Sequence, residues 1–338
     1  MLRTVFAAIV LSAWAVMVSC SSAVAGQGLT GTSLPGDFKV FSADSPWNTA
    51  IAPDAALHPD SAAMIDALAT KAGQLKGDMT QWTVPLFVVD AAVSPKYSVR
   101  SPKEALHPSV DPEGRGVAEN IPLPEGLWPD PKKDGHMLIV DPKLRKTWDL
   151  ARAKRLADGS WKATRLAVWN LDGLGFDPPF TGKRWWMRGA RGSGMPLIAG
   201  LIRPEEIQTG EIRHALSFAA PTTRKSSSPG GPKELCSPVA SRTDGKHEGR
   251  QYLPEGVRIQ LDPALDLDSL GLSPQTRILA RAMQVYGMYL CDHGDTFKIY
   301  FQNLGPDRGR WKGIGEFRDL ARIPVKSFRV LGCNTVRK

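Results

Sequence analysis

The chain has 338 residues, and its 43 Lys and Arg against 34 Asp and Glu give a formal net charge of +9. That length supports a substantial core in one large domain or two small ones. The basic residues are scattered rather than blocked, and a field of that sign favours anionic partners such as acidic polysaccharide, phospholipid headgroups or nucleic acid. A Walker loop, an HExxH helix and a dinucleotide fingerprint are all missing, and the six histidines stand far apart. No cofactor and no metal is therefore expected.

The first residues read as an export signal, spanning 1–25. Arg3 supplies the positive charge, an apolar run follows from Val5 to Val18 broken only by Ser12, and small residues lead to Ala25. Ala23-Val24-Ala25 fits release of a secreted protein. Val18-Ser19-Cys20 fits a bacterial lipobox, in which Cys20 carries a lipid anchor. The second is favoured because Ser19 directly precedes the cysteine and Ser21-Ser22 continue as a polar tether. No later segment has the length of a spanning helix. The protein is thus expected outside the cytoplasm, as a periplasmic or cell-surface lipoprotein or as a secreted protein, touching a membrane only through Cys20.

Residues 26–45 are rich in Gly, Ser, Thr and Pro and read as a flexible tether. Residues 46–338 are expected to form a single β-rich domain, with long loops at 101–134 and 221–250. Asp60-Ser61 start a short helix with Met64, Ile65 and Leu68 on one face. Gln81–Asp90 is β-branched and aromatic and reads as a strand, with Pro85 suggesting an edge or a bulge. His136–Asp141 and Lys146–Leu150 read as paired strands, and Trp161–Leu171 as another. Pro204 and the acids after it suit a first helical turn ending at Gly210, and Glu211–Ala220 alternates like a strand.

Val257–Leu261 is a further strand. Ser273-Pro274 start the clearest helix, which Gly287 stops. Met288–Asp292 and Thr296–Gln302 read as a hairpin, and Lys326–Leu331 as the last strand. Many short strands, few helices and abundant turn residues point to a mainly β fold, a β-sandwich or jelly roll with helical decorations. Of the four cysteines, Cys236, Cys291 and Cys333 lie outside the leader. Cys291 with Cys333 is the expected disulfide, because Cys236 sits in a loop-like tract.

Ten tryptophans stand out, including the pair Trp185-Trp186, flanked by Lys183, Arg184, Arg188 and Arg191. Flat aromatic faces stack on sugar rings, and arginines meet carboxylates. Trp185, Trp186, Arg188 and Arg191 are the candidate substrate-binding residues. Alternation puts His214 on the face of Ile212, Leu216 and Phe218, which reads either as a satisfied core histidine or, on the concave face of a jelly roll, as an acid or base. Asp141, Asp149, Glu205, Asp244, Asp292 and Asp295 are the carboxylate candidates. Asp149 and Asp244 are kept for an acid/base pair. Gly192-Ser193-Gly194 is not a nucleophile elbow, since Arg191 stands where a glycine is needed.

The run Gly194–Glu206 (GMPLIAGLIRPEE) is followed by Gly210–Leu216 (GEIRHAL), Thr243-Asp244-Gly245, Leu253-Pro254-Glu255-Gly256 and Tyr286–Tyr289 (YGMY). In that order these segments resemble a group of exported bacterial proteins without an assigned activity. The resemblance covers roughly residues 130–300. It implies one continuous domain and directs attention to His136, His214, Asp244 and Tyr289.

Two functional classes follow. The first is an extracytoplasmic enzyme that cleaves an anionic polysaccharide, as a glycoside hydrolase or a polysaccharide lyase. In a lyase Arg188 or Arg191 neutralises the uronate carboxylate and His214 or Tyr289 moves the proton. In a hydrolase Asp244 pairs with Asp149 or Asp292. The second class is a non-catalytic glycan-binding or envelope-structural lipoprotein. Nucleic acid fits an exported, turn-rich chain less well and is not expected as a partner.

Overall fold

The computed structural model describes residues 27–176, 184, 188–225, 235–237 and 239–335. The leader, Cys20, Trp185 and Trp186 lie outside the described residues. In chain order the first half holds β1 (Leu29–Gly31), α1 (Ser61–Ala72), β2 (Lys76–Asp78), β3 (Val84–Val89), β4 (Lys96–Arg100) and β5 (Val117–Pro122). Then come β6 (Met137–Asp141), β7 (Lys146–Ala151), β8 (Lys154–Arg155), β9 (Trp161–Lys162) and β10 (Arg165–Asn170). The second half holds α2 (Pro204–Thr209), β11 (Leu216–Ala220), β12 (Cys236–Ser237), β13 (Arg258–Leu261) and α3 (Pro274–Val285). It ends with β14 (Met288–His293), β15 (Lys298–Tyr300), β16 (Gln302–Asn303), β17 (Phe328–Val330) and β18 (Asn334–Thr335).

The fold is β-rich with few, short helices. One six-stranded sheet runs β1-β3-β6-β7-β10 with β16 also on β3, and a second runs β17-β13-β14-β11-β15-β2. A smaller sheet runs β5-β4-β9-β8. All three are mixed, with parallel pairs at β3·β6, β11·β14, β2·β15 and β4·β9 among antiparallel ones. Each is an open path from one edge strand to the other.

Alternation along the strands assigns each face to a layer. On β11 and β14, Leu216, Phe218, Met288 and Leu290 join the core formed with α1 and α3. Ala219, Tyr289 and Cys291 face the opposite way, into a second core shared with Val84, Leu86, Leu138 and Val140 of the first sheet. The other face of that sheet, with Phe87, Met137, Ile139 and Leu150, packs on the small sheet through Val99 and Trp161. The order is therefore helices, second sheet, first sheet, small sheet. Covering on both faces explains why β3, β6 and β11 are buried throughout.

Several expectations change. The stretch expected to be a tether is folded from Leu29 onward: β1 pairs with β3, and Leu34 and Phe41 are buried. The expected hairpin of Met288–Asp292 with Thr296–Gln302 does not form, because β11 lies between β14 and β15 and takes up both pairings. The disulfide joins Cys236 to Cys333, with Cα atoms 5.4 Å apart, and leaves Cys291 as a buried thiol. Cys291 faces the layer between the two large sheets, out of reach of Cys333, whose chain partner is the β12·β18 pair. No helix among the described residues is long and apolar enough to cross a membrane.

Candidate active site between the large sheets

β6, β7 and β10 pair in register, so residues of equal parity stand in rows across the sheet. Met137 opposes Leu150, which opposes Leu166, and Leu138 opposes Asp149, which opposes Ala167. One step towards the sheet's end, Arg165 opposes Ala151, and His136 is the next residue of the neighbouring strand. Ala151 belongs to the layer between the large sheets, and so His136, Ala151 and Arg165 form a row on that side. Their outer members are two strand spacings apart, roughly 10 Å, with Ala151 on the strand between them.

A β-bulge in the facing sheet supplies the other wall. β11 pairs Phe218 with Leu290 and then Ala219 with Asp292, skipping Cys291. The extra residue turns both Cys291 and Asp292 towards the inter-sheet layer, the re-aiming that bulges provide beside functional groups. Asp292 Oδ2 accepts from Arg191 Nη1 at 2.9 Å and from the Tyr300 hydroxyl at 2.8 Å, and Oδ1 accepts from the Gly192 N–H at 2.6 Å. Burial alone would raise the Asp292 carboxyl, but Arg191, and His136 whenever it carries a proton, hold it below the usual carboxylate range. Arg191 is fully buried, its guanidinium 4.1 Å above the Tyr300 ring.

His136 lies in the field of Asp292 and Arg191, and burial is the main reason its pKa is lowered. No described residue hydrogen-bonds its ring, which leaves a neutral imidazole with one donor and one acceptor beside a carboxylate. Asp149 accepts from the Leu197 N–H at 2.6 Å and from Thr147 Oγ1 at 3.2 Å. Its burial still pushes the carboxyl up to about 7.

Asp244 closes the site from the 239–245 segment. It lies at the surface, yet its carboxylate turns inward, where Oδ1 accepts from His293 N at 2.8 Å. A Cβ on Gly192 would stand 2.4 Å from its Cγ, so only glycine permits this approach. Glu255 is fully buried, and neither of its oxygens meets an N–H or O–H donor. Burial and the neighbouring Asp244 raise it well above the usual range. The two adjacent carboxyls, Glu255 with no other donor, hold a proton between them, as like charges at that distance resist joint ionisation. Arg242 ties the segment down, donating to the carbonyls of Arg188, Gly189 and Arg191. Burial, and then the repulsion of Arg165, lower Arg242 to about 9.

Of the residues singled out in the sequence, His136, Asp149, Asp244 and Arg191 thus come together around Asp292. Arg188 stands at the margin, stacked 4.4 Å above Trp169 and donating to Val168 O at 2.8 Å. Arg191 cannot meet a substrate carboxylate as expected, because it has no exposed surface and is committed to Asp292. It positions that carboxylate instead.

His214 and Tyr289 lie elsewhere. His214 precedes β11 rather than alternating within it. Its Nδ1 is 2.9 Å from Ala215 O and its Nε2 is 3.0 Å from Glu206 Oε1. Glu206 also takes the Arg203 guanidinium at 2.6 Å. Against the upward push of burial, those two neighbours hold Glu206 at about 2. The ring borders a pocket with room for about one water, also lined by Trp47 and Arg203. Tyr289 packs on Trp47 with ring centroids 4.7 Å apart. Both groups serve the interior at that end.

Sequence reasoning missed Glu255, Tyr300 and Arg165 as members of the site. Glu255 sits in Leu253-Pro254-Glu255-Gly256, a charged residue between apolar and turn residues, which was the only local signal. The described residues contain no cluster of three or more metal-ligating side chains. No family model, curated protein or solved structure matches the chain.

Proposed function

We propose that this chain is an extracytoplasmic enzyme that cleaves an anionic polysaccharide, and that β-elimination is its chemistry. The observation that carries the reading is the His136–Ala151–Arg165 row facing Asp292, which sets a neutral histidine and a cation on the same side of the sheet, two strands apart. The two large sheets serve as a sandwich with the site at one end, although their parallel pairs set them apart from an antiparallel jelly roll. Arg165 meets the uronate carboxylate and stabilises the charge that develops when the adjacent C–H bond breaks. His136 takes that proton, with Asp292 stabilising the imidazolium, and returns it to the departing glycosidic oxygen. The C–H and C–O bonds break as the C=C bond forms, so no water or cofactor is consumed.

Hydrolysis is less well supported. It calls for two carboxyls reaching the scissile bond from opposite sides. Asp149 is fully buried, and Asp292 is held by Arg191, Gly192 N–H, the Tyr300 hydroxyl and the Cys291 thiol.

The test is incubation with a panel of polyuronates, following the ultraviolet absorbance of the unsaturated product. His136→Gln should lower kcat by about 10²–10⁴-fold. New reducing ends without that absorbance would assign a hydrolase. Retention of the polymer without cleavage would assign a binding lipoprotein.

A further inference from the structure

The small sheet carries a feature that the site does not use. Arg100 of β4 opposes Lys162 of β9, and Lys162 opposes Lys154 of β8. All three are exposed, while Val99 and Trp161, their neighbours in the chain, are buried against the first sheet. Three cations therefore stand in single file on the open face, one strand spacing apart, about 4.8 Å. Like charges directly opposite one another destabilise a sheet. Among the described residues no ion pair relieves them; Asp158, held low chiefly by its hydrogen bonds from Ser160, also feels the charge of Arg100.

The file also points somewhere. Two residues before Lys154 stands Arg152, exposed, whose charge acts on Arg165, and Arg165 acts in turn on Arg242. The Cα of Arg152 lies so close to Gly135 that a Cβ there would approach it to 2.9 Å, which places Arg152 beside His136. A basic track thus runs from the open face of the small sheet to the row that holds His136.

We propose that the Arg100–Lys162–Lys154 row is a binding surface for an extended polyuronate chain, feeding it towards the inter-sheet site. The inference rests on the reading of the chain as acting on anionic polysaccharide, and it adds where the polymer is held. A single file of charges one strand apart suits a linear polymer bearing one carboxylate per sugar. A membrane would be met by a broad plane of cations instead.

The experiment compares Arg100→Glu/Lys162→Glu/Lys154→Glu with a control of equal charge change, Lys39→Glu/Lys71→Glu/Lys312→Glu, whose residues are exposed on other parts of the surface. Binding of polygalacturonate is measured by calorimetry over a range of salt, with unchanged melting temperature confirming the folds. The row variant should bind at least about tenfold more weakly, with a flatter salt dependence, while the control stays close to the parent. A row variant that binds like the parent, or a control that weakens equally, overturns the surface whatever the cleavage assays give. Loss of binding to anionic vesicles with polymer binding intact assigns the row to a membrane and also overturns it. A parent that binds without cleaving, and loses binding in the row variant, leaves the surface standing and removes the lyase.

Discussion

Asp149 illustrates how a buried carboxyl can belong to a site without being its reagent. It has no exposed surface, and its folded pKa of about 7 lies above its ordinary 3.8 because burial penalises the charge. Between those values the folded chain keeps a proton that the unfolded chain has released. Its stabilising contribution is therefore full below about pH 4 and is lost as pH rises through about 7. At 1.36 kcal/mol per unit, the loss is on the order of 4 kcal/mol by pH 8. Asp149→Asn keeps an acceptor for the Leu197 N–H and removes the titration. Urea denaturation should show the parent losing stability from pH 4 to pH 8 and the variant losing clearly less. The Asp244–Glu255 pair has the same sign, so part of the slope should persist. Superimposable pH profiles would mean that the proton sits elsewhere.

At the scale of elements, what the sequence disclosed was local. α1 forms where its stripe predicted, and α3 begins where Ser273 Oγ accepts from Thr276 N. The β6·β7 pair forms as expected, in register from Met137↔Leu150 to Asp141↔Lys146. Non-local pairing was not legible. β11 finds its parallel partner β14 some seventy residues onward, and nothing in the period of Leu216–Ala220 names that partner. The same holds for the bulge at Cys291, which decides that Asp292 enters the site. His214 was misplaced for a related reason: the strand begins at Leu216, so its face could not be read by extending the alternation. The Cys236–Cys333 bridge joins two segments separated by 97 residues and pins the β12·β18 pair. Closing so long a loop restricts the unfolded chain, and such bridges typically contribute about 2–4 kcal/mol. Cys236→Ser with Cys333→Ser should lower the urea midpoint accordingly, while Cys291 stays unreactive to thiol reagents until the chain unfolds. Labelling of Cys291 in the folded parent would contradict its burial.

Over the whole molecule the decisive feature is the segment Lys298–Asn303. Its first half is a strand of the second large sheet and its second half, β16, is a strand of the first. The apolar layer between those sheets draws on both as well, from Leu86 and Leu138 to Cys291 and Tyr300. The N-terminal strand β1 and the C-terminal bridge to Cys236 tie the remaining ends into the same structure. Unfolding either sheet would strip the other of one of its two buried faces and expose the shared apolar layer to water. The chain from residue 27 onward is therefore expected to unfold as one unit. Tryptophan fluorescence and far-ultraviolet circular dichroism should give coincident urea transitions with one midpoint. Limited proteolysis within residues 221–250 is the sharper check, since that stretch is where two halves would part. A nick there should leave the two pieces associated even after the disulfide is reduced, because β11 and β14 lie on opposite sides of the cut and share a ladder. Two fragments that separate and each retain a cooperative transition would show that the sheets are independent domains and that the inter-sheet site is an interface between them.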